Sequence, residues 1–497
     1  MRNIFLILAL ISSVYLGAQS SNELLDRSFW RSSPSVDEVK KKIAEGHDPV
    51  AMTSAAFDAT TYAIIDKAPV ESVKHLLSIK GNEVDKNTHD GRNYLMWAAY
   101  AGNVELVKYL IDQGSDIKLV DDLGYSVIPF CATTGMDNPE IYDVLVANGA
   151  KISDTNRDGA NPILLVSAHL EDDYSIIEYF KKKGLAIDAK DDAGNGLFNY
   201  AARKGNLGLM KKAVEWGLPY QDKNSNGGNA VLFASRGYRA HTNGMEVYRY
   251  LDKMGLDMDV VTKDGETPLH SIAFRVKDMD IYDYFIKQGI DINQANKEGN
   301  TLLLNAINGR NNDVAKAFMP KVADLNHKNK DGYSALSNTV RRYNAAIFAD
   351  LISAGADAKV VDKKGNNLIA LTFESYRKGQ EEPFQSMLAV LQKKGVDPLA
   401  QQAKGNTLLH IAVEKGNTYL LDQALALGAD LNAKNSDGLT ATHLAAMKAK
   451  DATILNLLIG KGADTSIKTD FEETLYDLAS ENELLKKSGF DLDQLKR

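Results

Sequence analysis

Catalytic or metal chemistry needs His, Cys, Asp or Glu side chains brought within bonding reach of one another. Of the nine histidines, His47, His75, His89, His169, His241 and His327 show no mutual metal-ligand spacing, and His270, His410 and His443 fall one or more repeating units apart. Two segments resemble the start of a calcium loop, Asp154-x-Asn156-x-Asp158-Gly159 and Asp222-x-Asn224-x-Asn226-Gly227. Both place an apolar residue, Leu165 or Phe233, where the bidentate acid of position twelve is required. Asp, Asn and Gly are also what tight turns demand. A phosphate-cradling Gly loop, a Gly-x-Ser-x-Gly elbow and a dinucleotide fingerprint are absent from suitable strand-helix settings. The expectation is a chain with no catalytic, cofactor-binding or metal-binding residues.

The single cysteine, Cys131, stands in Pro129-Phe130-Cys131-Ala132, where sister segments carry Ala98, Ala412 or Ala445 at the matching or neighbouring slot. It reads as a buried small residue rather than a reactive thiol. Formal charge over 497 residues is -8, with 58 basic against 66 acidic residues, which argues against a globally basic nucleic-acid binder. Arg2, the apolar run Ile4 to Leu16 and the small pair Gly17-Ala18 predict a signal peptide over residues 1–18, cleaved after Ala18. The run is shorter than the roughly 20 residues that span a bilayer. An exported protein, periplasmic or secreted, is therefore expected, stable without a disulfide.

The elements that position these residues emerge from a repeat. Turn glycines fall at Gly91, Gly124, Gly159, Gly194, Gly227, Gly265, Gly299, Gly332, Gly365, Gly405 and Gly438, with Phe471 in the last slot. The intervals are 33, 35, 35, 33, 38, 34, 33, 33, 40, 33 and 33. A second ladder in phase with it, including Gly114, Gly149, Gly289, Gly355 and Gly462, follows apolar helical stripes and predicts helix C-caps. Such a period means stacked supersecondary units. In the unit from Asp264 to Asn293, Thr267 caps a helix that Pro268 opens and that turns Leu269, Ile272 and Ala273 inward. A second helix is expected to bury Ile281, Tyr284 and Phe285 before Gly289 ends it. The unit with Val322 in its C-cap slot and Pro320 in its second helix is expected to be the weakest. The fold class is all-α.

At this point Asp264-Gly265-Glu266-Thr267-Pro268-Leu269-His270-Ser271-Ile272-Ala273 resembles the ankyrin-repeat signature, as do Gly405 to His410 and Asp437 to Ala445. Gly102-Asn103, Gly205-Asn206 and Gly416-Asn417 between the helices extend the match. The resemblance implies an ankyrin-repeat solenoid over 86–478, of the exported bacterial type, preceded by degenerate helical repeats over 19–85 and closed by a cap and tail over 479–497. It also implies that His270, His410 and His443 fasten loops by hydrogen bonding, and that a concave face binds a protein partner.

On that face a basic ladder runs along the ends of successive first helices: Arg203 and Lys204, then Arg236, Arg275, Arg310, Arg341 and Arg342, then Arg377 and Lys378. Cations there gain roughly 0.3–1 kcal/mol from the helix dipole alone. As partner contacts they predict an anionic protein surface, since Arg supplies planar multiple donors. The long repeats place their extra residues near Gly237 to Gly244 and Tyr376 to Phe384. Tyr100, beside Tyr94 and Trp97, marks a second, aromatic patch. The functional expectation is a non-catalytic protein-binding scaffold, monomeric alone. The alternative implied by the resemblance is an accessory carrying a small anionic ligand such as haem to an exported enzyme such as a catalase. That role needs a dry pocket and usually an axial ligand, and no His or Met is clearly placed for one.

Overall fold

A computed structural model describes residues 22–496, so the signal-peptide expectation over residues 1–18 lies outside the described residues. Among these residues the chain forms 28 α-helices with five short 3-10 turns and no β-strand. The extended pairings among the described residues are isolated bridges such as Lys434 with Thr440. The chain divides into two units, Met1–Asn224 and Ser225–Arg497.

Within each unit the helices come in pairs whose members are buried differently. First helices lie between neighbours and are buried almost all round: Tyr94, Leu95, Met96, Trp97, Ala98, Ala99 and Ala101 of helix Tyr94–Ala101 are all buried. Second helices bury one stripe at positions i, i+1 and i+4. Leu106, Val107 and Leu110 do so in the first unit, and Ile347, Phe348 and Leu351 in the second. Each buried Leu, Ile or Phe removes enough apolar surface from water to contribute about 1.5–3 kcal/mol, which a lone helix pair could not collect. The same stripe corrects one sequence expectation. In helix Met279–Lys287 the middle buried residue is Tyr282, not Tyr284. Tyr282 sits at i+1 and its hydroxyl donates to the carbonyl of Val276 at 2.8 Å, whereas the Tyr284 hydroxyl turns outward to Asp252.

Caps follow the sequence. Asn103, Asn206 and Asn417 each accept a backbone N–H at the start of a second helix. The loops between pairs project as fingers joined tip to tip by backbone hydrogen bonds. In the second unit Lys297 N–H donates to Asp264, Lys330 to Glu298 and Lys363 to Asp331. This close approach is what fixes Gly at the turn: at Gly332, φ +82°, a Cβ would lie 2.4 Å from the Lys363 nitrogen.

Two further expectations are corrected. The last turn slot is Glu472, φ 64°, not Phe471, because Thr469 N–H bonds to Glu473 and so places the left-handed residue one position later. Pro320 does not lie inside a helix. Helix Asn312–Phe318 ends before it, and Pro320 is the second residue of a 3-10 turn, Met319–Lys321, where its missing donor breaks no helical ladder. The 38-residue repeat spends its insertion on a small hairpin with a Tyr238–His241 bridge. The 40-residue repeat lengthens its second helix to Glu381–Lys393 and buries Phe384 there.

Candidate functional site

Within the second unit, the C-terminal ends of four successive first helices surround a cleft of about 380 Å³. The helices are Leu302–Asn308, Ala335–Arg342, Leu368–Ser375 and Leu408–Glu414, each packed on the next. The cleft is lined by Arg310, Arg341, Arg342, Arg377 and Lys415, together with Tyr343, Tyr376, Gln380 and one acid, Glu374. The structure thus brings together four arginines of the ladder read from the sequence, Arg310, Arg341, Arg342 and Arg377. It adds Lys415, which sequence reasoning missed. Lys415 follows helix Leu408–Glu414 as its C-cap and so occupies the slot of the other cations, a signal available in the repeat register.

Local contacts hold this rim. Arg310, itself in a left-handed conformation at φ 56°, donates from Nη2 to the carbonyl of Arg342 at 2.8 Å. The Arg341 guanidinium lies 3.8 Å from the Tyr333 ring centroid and donates to Asn338. Lys415 Nζ donates to the Glu374 carbonyl at 2.8 Å. Tyr343 donates to the Thr372 carbonyl at 2.6 Å, and Tyr376 donates to Glu381 at 2.5 Å. Exclusion of water pushes the Tyr376 phenol up to about 12, helped by that carboxylate. The Glu374 carboxyl stands above the usual carboxylate range because surrounding atoms displace water and Asp362 adds a like charge. None of the five cations pairs with a carboxylate within 4.0 Å among the described residues.

The remaining ladder residues lie elsewhere. Arg275 is exposed and donates to the Arg239 carbonyl of the inserted hairpin. Arg236 is exposed with its guanidinium 5.9 Å from the Phe233 ring. Arg203 and Lys204 end helix Leu197–Lys204 in the first unit and are half-buried.

The aromatic patch is also in the first unit. Phe57 stacks on His89 at 4.3 Å, Trp97 meets Phe130 edge-on at 5.7 Å, and the Arg92 guanidinium lies 4.4 Å from the Phe130 ring. Trp97 is buried with its indole N–H on Thr88, while Tyr100 is 37% exposed.

The histidines serve loops. His270 Nδ1 accepts from the Thr267 backbone, and its Nε2 lies 3.0 Å from the Asn300 carbonyl. His410 reaches the Leu439 carbonyl at 2.9 Å and His443 that of Ile467 at 2.8 Å. Burial holds all three imidazoles below their ordinary range. His327, unremarkable in the sequence, makes a similar tie to Gly299 at 2.8 Å. Cys131 is fully buried, and burial pushes its thiol up, as an inert small residue requires. No group of three His, Cys, Asp or Glu side chains that could hold a metal occurs among the described residues.

The family model for ankyrin repeats matches residues 61–156, 238–329 and 374–469, more than half of the chain. This is an ankyrin-repeat protein. Similarity extends to the phosphocholine transferase AnkX of Legionella pneumophila, 27% identical over 40% of this chain but only 20% of that protein. The human Notch-regulated ankyrin repeat-containing protein is 32% identical over 17% of this chain and 75% of its own length. Mouse protein phosphatase 1 regulatory subunit 27 is 28% identical over 25% of this chain and 76% of its own. Among solved structures the human ASB11 ankyrin repeat domain matches 46% of this chain and 98% of that chain, at 20% identity and a TM-score of 0.38. The chain thus spans about a fifth of the length of AnkX, and the similarity to that enzyme covers repeats. Ankyrin repeats generally mediate protein–protein interaction and form scaffolds that are typically non-catalytic. No helix among the described residues is long and apolar enough to cross a membrane.

Proposed function

We propose that this chain is an exported, non-catalytic ankyrin scaffold that binds a protein partner through the concave face of its repeats, with an anionic surface of the partner against the arginine-bearing helix ends. One observation carries the reading. In a chain of net charge -8, five cations line one cleft and none has a carboxylate within 4.0 Å among the described residues, which concentrates positive charge at one surface. The contact residues of this reading are Arg203, Lys204, Arg236, Arg275, Arg310, Arg341 and Arg342; Tyr100 marks the aromatic patch that ranks second to them.

Two measurements test it. Intact mass of the chain from the exported fraction is expected to begin at Gln19, and full-length chain confined to the cytosol would remove the compartment. Affinity capture from that fraction, repeated with Arg341 and Arg342 changed to Gln, is expected to return a partner with the wild type and to lose it with the variant. A partner retained equally by both would move the contact away from these helix ends.

A further inference from the structure

The cleft at Arg310, Arg341, Arg342, Arg377 and Lys415 has a shape as well as a charge. Its cations come from four first helices packed in succession, from Leu302–Asn308 to Leu408–Glu414. Packed helices lie about 8–10 Å apart, so three steps carry the row over roughly 25–30 Å. A lone phosphate or carboxylate ion engages one or two of these cations and leaves the others uncompensated. An extended peptide, advancing about 3.3 Å per residue, covers the row in about eight residues and can present a carboxylate at each helix end.

The state of the cations supports the same ligand. Arg310 and Lys415 are partly committed to backbone carbonyls, and Arg341 to Tyr333 and Asn338. Arg342 and Arg377 are exposed and have no hydrogen bond or ion pair from their side chains among the described residues. Their guanidinium forks are thus available for bidentate carboxylate contacts. Glu374 is the one acid in the lining, and its carboxylate accepts from Asn366 Nδ2 at 3.2 Å.

We infer that this cleft binds an extended acidic segment of the partner protein, a run of Asp and Glu side chains, with Arg342 and Arg377 as the principal carboxylate contacts and Glu374 as an internal like charge that weakens the fit. The inference rests on the protein-binding reading above and narrows it to one cleft and one peptide chemistry. Glu374 makes it testable by a gain of affinity, which a damaged fold would not produce.

The probe is a fluorescein-labelled octaglutamate peptide titrated by anisotropy against the full chain, with octaglutamine and inorganic phosphate as comparisons. Arg342→Gln with Arg377→Gln is expected to weaken octaglutamate binding about tenfold, since exposed pairs contribute modestly and two are lost. Glu374→Gln is expected to tighten it about threefold by removing a like charge at short range. Lys108→Gln, which breaks the Lys108–Glu140 pair of the first unit, is expected to leave it unchanged. Unchanged binding by the double variant, or a Glu374→Gln chain that binds no tighter, overturns the inference. Phosphate competing fully with the peptide would also overturn it in favour of a simple anion site. A native partner lost on Arg341 and Arg342 replacement while octaglutamate ignores the cleft would defeat this inference and leave the broader reading standing. Loss of neither defeats both.

Discussion

Arg310 Nη2 donates a 2.8 Å hydrogen bond to the carbonyl oxygen of Arg342, the last residue of the next first helix, Ala335–Arg342. One member of the arginine row thus caps the helix that carries another. The pair separates two roles that the sequence merged, a structural cation at a helix C-terminus and an exposed cation open to a partner.

Arg310→Gln is accordingly expected to lower stability by about 1 kcal/mol, through loss of a charge-assisted bond that is exposed and so discounted from its buried value. Arg342→Gln keeps its carbonyl and is expected to stay within about 0.5 kcal/mol of wild type. Urea denaturation of the two variants checks the difference.

The glycines of the two ladders, at turns and at helix ends, divide by what stands near them. Gly332→Ala would set a Cβ 2.4 Å from the Lys363 nitrogen, whereas Gly289→Ala meets nothing within 4 Å and carries only the strain of its left-handed backbone. The first is expected to cost at least about 2 kcal/mol and the second about 1 kcal/mol, in the same denaturation measurement.

A buried charge cluster in the first unit should be the most sensitive to truncation. Asp58 is fully buried, accepts from the Tyr94 hydroxyl at 2.6 Å, pairs with Lys86 at 2.8 Å and caps helix Ala59–Ile65. Asp58→Ala takes the carboxylate from Lys86, leaving its Nζ the Val50 carbonyl and Asn82 Oδ1, removes the short bond of the Tyr94 hydroxyl and the helix cap, and is expected to cost about 3–5 kcal/mol. A loss below about 1 kcal/mol would contradict the importance given to the cluster.

The loop-fastening histidines set a pH dependence whose sign follows from their depressed titration. His270, His410 and His443 are held below the ordinary value chiefly by burial, so the unfolded chain takes up protons first once the pH falls below about 6.5. Their stabilisation is fully present above that pH and declines as the pH falls from there through the depressed values of the folded chain. The urea midpoint should fall over this window. His410→Gln, which also loses the bond to Leu439, should start lower and fall less steeply.

The fold was legible because its signals are local and repeated: a turn Gly, a capping Asn before the second helix and a Ser, Thr or Asn at the start of the first recur in register, and each states its own backbone requirement. Phe471 and Tyr284 failed for one shared reason, a register displaced by one or two residues, which only the hydrogen bonds of Thr469 and the stripe around Tyr282 settle. Pro320 failed because a helix end depends on the backbone after Phe318 and not on spacing alone. For the site, the row of arginines was visible as a pattern, but a pattern does not distinguish Arg310, spent on a carbonyl, from Arg342 beside it. Lys415 and Glu374 entered only when packing brought four helix ends around one cleft.

The central claim is that the arginine row, and not the aromatic patch, contacts the partner. It is tested most directly by the dissociation constant of the captured partner for the wild type, for a variant with Arg203, Arg236, Arg275, Arg341 and Arg342 all changed to Gln, and for Tyr100→Ala, at low and physiological salt. The account predicts binding that weakens as salt screens exposed charges over about 8 Å, that falls at least about tenfold in the fivefold variant with its helical circular dichroism intact, and that survives Tyr100→Ala. Salt-independent binding, unchanged by the fivefold replacement and lost on Tyr100→Ala, would contradict it and place the site at the aromatic patch of the first unit.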